Sequence, residues 1–233
     1  MHSAELLHTS AKPAVVLPDR NAATDPPLPG PGELLLVTGA SGAGKTTLLG
    51  AMARAARRQG IDVRVCPATA NGRQRVLERF PGAGASGVLG HLARFGLADA
   101  ELLLRRPRQL SDGQRQRLAI ATTLWPLRPP PGRPMMPGAA GRTCRLVLLD
   151  GFAESLDLVT ALAVATALQR CVRTWGVRGR WGAAVATWRG ELAAALMPDR
   201  WLRADFGDVK DVLRRSGYAD GDAPATRKRR QRP

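Results

Sequence analysis

Eight residues, Gly39-Ala40-Ser41-Gly42-Ala43-Gly44-Lys45-Thr46, carry the clearest chemistry in this chain of 233 residues. They fit the pattern G-x-x-x-x-G-K-[ST] at every fixed position. Glycine without a Cβ reaches the backbone angles of a tight loop, so the loop's N–H groups can turn inward around a polyphosphate. A helix starting directly after the loop adds unpaired N–H donors and the positive end of its dipole. Lys45 adds a point charge for the β- and γ-phosphates, and the Thr46 hydroxyl is a ligand for Mg²⁺. Gly39 to Thr46, with the neighbouring Thr47, are therefore candidates for holding a nucleotide.

The flanking elements fit this chemistry. Leu34-Leu35-Leu36-Val37 reads as a buried strand running into the loop. Thr47 to Ala56 reads as a helix with Leu48, Leu49, Met52 and Ala56 along one stripe, ended by Gly60. Strand, glycine loop and helix form a phosphate site but assign no task, since kinases, GTPases, motors and transporter engines all use one.

A second run narrows the choice. In Leu110-Ser111-Asp112-Gly113-Gln114-Arg115-Gln116-Arg117-Leu118-Ala119, Ser111 can cap a helix that starts just after it, and Gly113 permits close approach of another backbone. This run resembles the LSGGQ signature of the ABC ATPases. Arg145-Leu146-Val147-Leu148-Leu149-Asp150 resembles the Walker B strand of that family, and Ser155-Leu156-Asp157 resembles its D-loop. The resembling motifs occur in the family's order over residues 39–157. The resemblance implies an α/β fold of the P-loop NTPase class and ABC ATPase type, a mainly parallel sheet flanked by helices. It implies ATP and Mg²⁺ as ligands, with Lys45 and Asp150 catalytic and Thr46 and Asp150 at the metal. It also implies two copies arranged head to tail, with Ser111, Gly113 and Gln114 of one chain closing over the phosphate loop of the other.

The departures from the family pattern fall on hydrolysis. The family's water-orienting glutamate corresponds to Gly151, which has no side chain to polarise anything. Its switch histidine corresponds to Trp188, after Val185-Ala186-Thr187; the chain's histidines are His2, His8 and His91. Gln74 is a candidate for the family's Mg²⁺-sensing glutamine, and Glu154 is a nearby carboxylate that could stand in for the missing base. No aromatic precedes Gly39 to stack on adenine. The interval between loop and signature is short, so the helical subdomain is expected to be reduced. These features lead to an ATP-binding protein with weak or impaired hydrolysis. The alternatives are an ATP-gated scaffold without hydrolysis, a nucleic-acid-associated ATPase, and the engine subunit of a membrane transporter.

The rest of the chain frames the domain. Six prolines between Pro13 and Pro31 argue against regular structure in residues 1–32, apart from a short edge strand at 14–17. The ATP-binding domain is placed at 33–206, with helical and signature segments at 87–125 and a Pro/Gly-rich loop at 126–141. Within it, Ile61, Val63 and Val65 alternate as a strand. A short helix is expected at 73–80, a long one at 158–175, strands at 183–187 and 201–204, and a helical turn or two at 191–196. Residues 207–233 read as a basic, partly disordered tail ending Arg227-Lys228-Arg229-Arg230-Gln231-Arg232-Pro233. Net charge is +16, nearly all from arginine. That charge suits a polyanionic partner such as nucleic acid or an acidic membrane surface, and it also suits a GC-rich genome; both readings stand at this point. An odd set of three well-separated cysteines, no secretory pattern and no apolar run of about 20 residues point to a cytoplasmic protein without a membrane span.

Overall fold

The computed structural model describes residues 25–128 and 145–214. The expected edge strand at 14–17, most of the Pro/Gly-rich loop and the Arg-rich end of the tail lie outside the described residues. In chain order the regular elements are β1 (Leu34–Thr38), α1 (Lys45–Arg58), β2 (Asp62–Cys66), α2 (Ala85–Ala93), α3 (Asp112–Leu124), β3 (Arg145–Leu149) and α4 (Leu158–Cys171). They continue with α5 (Val177–Gly179), β4 (Trp181–Thr187), α6 (Ala193–Leu196), β5 (Arg200–Asp205) and β6 (Asp208–Arg214).

One six-stranded sheet has the order β2-β3-β4-β1-β5-β6. Every neighbouring pair is parallel except the antiparallel β5–β6 hairpin. The interior strands are apolar because both their faces are covered. Leu34 and Leu36 of β1, Val147 and Leu149 of β3, and Ala183 and Val185 of β4 face one core, shared with residues of α2, α3 and α4. Their alternate neighbours Leu35, Val37, Leu146, Leu148, Ala184 and Ala186 face a second core made with Leu48, Leu49, Met52, Ala53 and Ala56 of α1. The period of two sets the faces, and a one-residue slip would exchange them. In this register Thr38 stands opposite Thr187 and Leu149 opposite Val185, so the ends of three strands meet at one edge of the sheet. That edge is where open α/β sheets bind ligands.

Parallel topology, the phosphate-loop unit and the strands at β2, β3, β4 and β5 agree with the sequence reading. Three local expectations need correction. The helix expected at 73–80 is a single 3-10 turn at Leu77–Arg79. Val76 N–H bonds across the chain to the Arg105 carbonyl at 2.9 Å rather than within a helix, while Val76 and Phe80 insert into the core. Ala100–Leu104 is also 3-10, ahead of Arg106-Pro107, where the proline disfavours α geometry in its predecessor. Residues 208–214, placed by sequence in the tail, instead form β6. The long helix α4 passes into a π-turn at Val172–Gly176 before α5.

The helical layer has an aromatic centre. His91 of α2 is buried and packs against Phe80, Phe95, Trp125 and Trp175. Its Nε2 lies 2.8 Å from the Ala121 carbonyl of α3. Burial holds its pKa below the ordinary 6.5; the carbonyl opposes that shift, and the Arg128 and Arg94 charges reinforce it. The histidine is therefore a packing residue, far from any catalytic use. The unfolded chain takes up a proton below about pH 6.5 that the folded chain resists, so the histidine favours folding above that pH and its contribution is lost on acidification. Melting temperature should fall between pH 7 and pH 5, and His91→Phe should flatten that fall; an unchanged pH slope in the variant would contradict this assignment.

Candidate functional site

The loop after β1 is seated by a contact that leaves no room for a side chain. A Cβ on Gly39 would stand 2.4 Å from the Ala204 carbonyl of β5. Gly44, at φ 96°, then turns the chain into α1, whose first N–H groups have no side-chain cap. Ala43 does not face solvent but packs in the core beneath the loop. The Lys45 ammonium donates to the Gly39 and Ala40 carbonyls at 2.9 and 2.8 Å, so it lies across the mouth of the loop.

A cavity of about 670 Å³ opens here. Ser41, Gly42, Gly44, Lys45, Thr46 and Thr47 line one side; Asp150, Gly151, Glu154 and Trp188 line another. Thr46 Oγ1 donates to Asp150 Oδ2 at 2.7 Å, joining the start of α1 to the end of β3 across 104 positions of sequence. A hydroxyl and a carboxylate side by side are suited to Mg²⁺, which binds through one or two protein oxygens and takes its other positions from phosphates and water. No group of three His, Cys, Asp or Glu side chains gathers as a metal centre among the described residues. The donor set thus fits a Mg²⁺–phosphate complex and not a protein-only metal cage.

Cys66, Pro67 and Ala68 at the end of β2 form a third wall, which the sequence did not single out. The Cys66 thiol donates to the Pro67 carbonyl at 3.5 Å. Burial pushes its pKa up to about 11, against a smaller opposing effect of the Thr123 hydroxyl. It stays a thiol near neutrality and is no nucleophile. Gln74 is exposed and absent from the cavity lining, so the structure does not bring it to this site. Trp188 reaches the cavity while half exposed.

Gly151 follows Asp150 with φ 63°, a left-handed conformation that glycine takes without penalty. Its N–H bonds to Asp150 Oδ1 at 3.0 Å, and its carbonyl accepts from Gln116 Nε2 at 2.9 Å. Gln116 Oε1 in turn accepts from Ser155 Oγ at 2.9 Å. One buried amide on α3 therefore holds both the turn after Asp150 and the segment Ser155-Leu156-Asp157. Asp157 then caps α4 by accepting from Thr160 N–H at 2.9 Å. Sequence inspection passed over Gln116 because a helical glutamine carries no pattern of its own.

Ser111 caps α3 as expected. Its Oγ accepts from Gln114 N–H at 3.2 Å, and Gln114 Oε1 accepts from Ser111 N–H at 3.0 Å, a reciprocal capping box. The Gln114 carbonyl oxygen is thus engaged at the cap. Gly113 serves internal packing: a Cβ there would lie 3.0 Å from Leu156 Cδ2. Ser111 is exposed, and Ser111, Gly113 and Gln114 are absent from the lining of the phosphate-loop cavity. Within one chain the two helix starts serve separate surfaces.

Comparison with known proteins agrees with this geometry. A family model described as an AAA domain matches residues 22–123. Among solved structures, the chain is similar to a bacterial ABC transporter cassette determined as a dimer, at 18% identity and TM-score 0.56, with 80% of this chain and 87% of that one covered. It is also similar to an ABC transporter of metal-chelate type in an inward-facing conformation, at 20% identity and TM-score 0.52, covering 79% of this chain and 74% of that one. No curated protein sequence matches. The six-stranded, mostly parallel sheet flanked by helices is the fold of the ABC ATP-binding cassettes. No helix among the described residues is long and apolar enough to cross a membrane.

Removing the Gln116 amide leaves the Gly151 carbonyl without its side-chain donor and Ser155 Oγ without its acceptor. Gln116→Ala should lower stability by about 1–3 kcal/mol in a urea titration. A loss below about 0.5 kcal/mol would show that the bridge contributes nothing.

Proposed function

We propose that the chain binds Mg-ATP at the phosphate loop, and that two copies close head to tail around the nucleotide with weak or impaired hydrolysis. The observation that carries this reading is the Thr46–Asp150 hydrogen bond of 2.7 Å in a cavity also lined by Lys45. Phosphate loop, charge and metal donors converge there from two distant segments of chain. Lys45 and the first N–H groups of α1 would grip the β- and γ-phosphates. Thr46 and Asp150 would hold Mg²⁺, which when bound offsets charge on the phosphate oxygens.

Dimer closure is supported by the separation of the two helix starts within one chain and by the dimeric state in which one similar cassette was solved. An exposed Ser111 cap is free to meet another copy's loop. Such an interface is symmetric and closes on itself. Nucleotide contacts that exist only in the closed pair would drive closure. The transporter reading has less support because the helical region is small, and neither of the similar structures is described with a nucleic-acid partner. A cytoplasmic setting suits an ATP-dependent dimer of this kind.

Gly151 sets the catalytic expectation. Positioning and electrostatics supply most of the rate in phosphoryl transfer, while a general base adds about 10²–10⁴-fold. Glu154 lines the same cavity and is the remaining carboxylate beside Asp150 there. The same glycine favours a second reading, a nucleotide-gated scaffold that does not hydrolyse ATP. Phosphate release in a single turnover separates the two.

Lys45→Ala should weaken Mg-ATP binding at least about ten-fold by calorimetry, since it removes the charge facing the phosphates; equal affinity would overturn the nucleotide assignment. Gly151→Glu should raise phosphate release at least about ten-fold. It should also cost about 1–2 kcal/mol of stability, because a side chain at φ 63° is strained. A stable variant with no gain in release would show that the missing glutamate is not what limits hydrolysis.

A further inference from the structure

The tip of the β5–β6 hairpin is an exposed aromatic beside the phosphate loop. Asp205 pairs with Asp208, leaving Phe206-Gly207 as a two-residue turn with φ of 43° and 112°. Turns of this length favour Asn, Asp or Gly at such positions; a bulky aromatic there is a backbone outlier. Phe206 nevertheless occupies it with 72% of its surface exposed, so packing does not account for the residue. Strain without compensating burial directs attention to function. The ring lies next to the loop: a Cβ on Gly42, which lines the cavity, would stand 3.9 Å from Phe206 Cε1. The contact is built in, because Gly39 seats the loop on the Ala204 carbonyl, two residues before Phe206.

Sheet order gives the direction of a bound nucleotide. β1 lies between β4 and β5, with β3 beyond β4. Asp150 at the end of β3 and Trp188 after β4 are therefore on one side of the loop, and the hairpin is on the other. A triphosphate with its terminal group at Thr46 and Asp150 would run over Gly44 and Lys45, and its nucleoside would emerge on the hairpin side. We propose that Phe206 is the stacking platform for the nucleobase, supplied by the C-terminal hairpin because no aromatic precedes the loop. The inference rests on the nucleotide-binding reading above and adds base recognition to it. Stacking uses the π-face common to all bases, so the site takes nucleoside triphosphates without strong choice of base.

Phe206→Asn is a suitable test, because asparagine tolerates the left-handed turn and the variant should melt no lower than the wild type. Calorimetric titration with Mg-ATP should show affinity reduced about five- to a hundred-fold in Phe206→Asn and retained in Phe206→Trp. Titration with inorganic tripolyphosphate and Mg²⁺, which has no base to stack, should give equal affinities in all three proteins. ATP affinity unchanged in Phe206→Asn would overturn the proposal while leaving nucleotide binding intact. Equal weakening toward ATP and tripolyphosphate would also overturn it, since the ring would then act by shaping the loop. A wild-type protein that binds neither ligand would overturn the underlying function instead.

Discussion

Alternating burial of β1, β3 and β4 against two different helical layers is the constraint on which the molecule depends. Odd and even residues of each strand enter separate cores, so the parallel register cannot slip without placing every side chain in the wrong layer. That register brings the ends of the three strands to one edge. Thr46, Asp150 and Trp188 come from distant parts of the sequence, yet each sits just past a strand end or at the first turn of a helix fed by one. The site is a consequence of strand register before it is a consequence of any particular functional side chain.

A polar framework joins the cavity to the start of α3. Gln116 holds the Gly151 carbonyl with its amide N–H and Ser155 Oγ with its oxygen, while bare Gly113 lets Leu156 pack against the same helix. Arg189, next to Trp188, adds a bond from its guanidinium to the Leu156 carbonyl at 2.6 Å. The turn after Asp150, the 155–157 segment, the capped helix start and the end of β4 are thus linked by short hydrogen bonds and direct packing. These four segments therefore form one connected framework. The left-handed Gly151 is part of this framework, so its glycine serves the turn.

Much of the site was legible from sequence because its motifs are contiguous. Gly39 to Thr46, the Ser111 cap and the β3–Asp150 strand each work through neighbouring backbone, and local patterns report local backbone. Reasoning failed where partners are far apart in sequence. Gly113 reads as a glycine for close approach of another backbone, and no local pattern signals that Leu156 packs against its bare face. Residues 73–80 have helical character, yet Val76 finds its partner at Arg105 and the helix does not form. Gln74 had the right side chain for a metal sensor, but it is exposed outside the cavity lining.

By itself the sequence determined a glycine loop of phosphate-binding pattern between a strand and a helix, a capped second helix, and a buried strand ending in aspartate. Each follows from spacing along a few consecutive residues, where glycine freedom, helix capping and hydrophobic period act directly. Only the tertiary structure decided that Thr46 meets Asp150, that Gln116 ties α3 to the turn after β3, and that 208–214 form a strand. It alone carried Phe206 from the far end of the chain to the side of Gly42. These are contacts between segments tens to hundreds of positions apart, set by sheet order and register, and no local pattern encodes which distant neighbour a side chain will find.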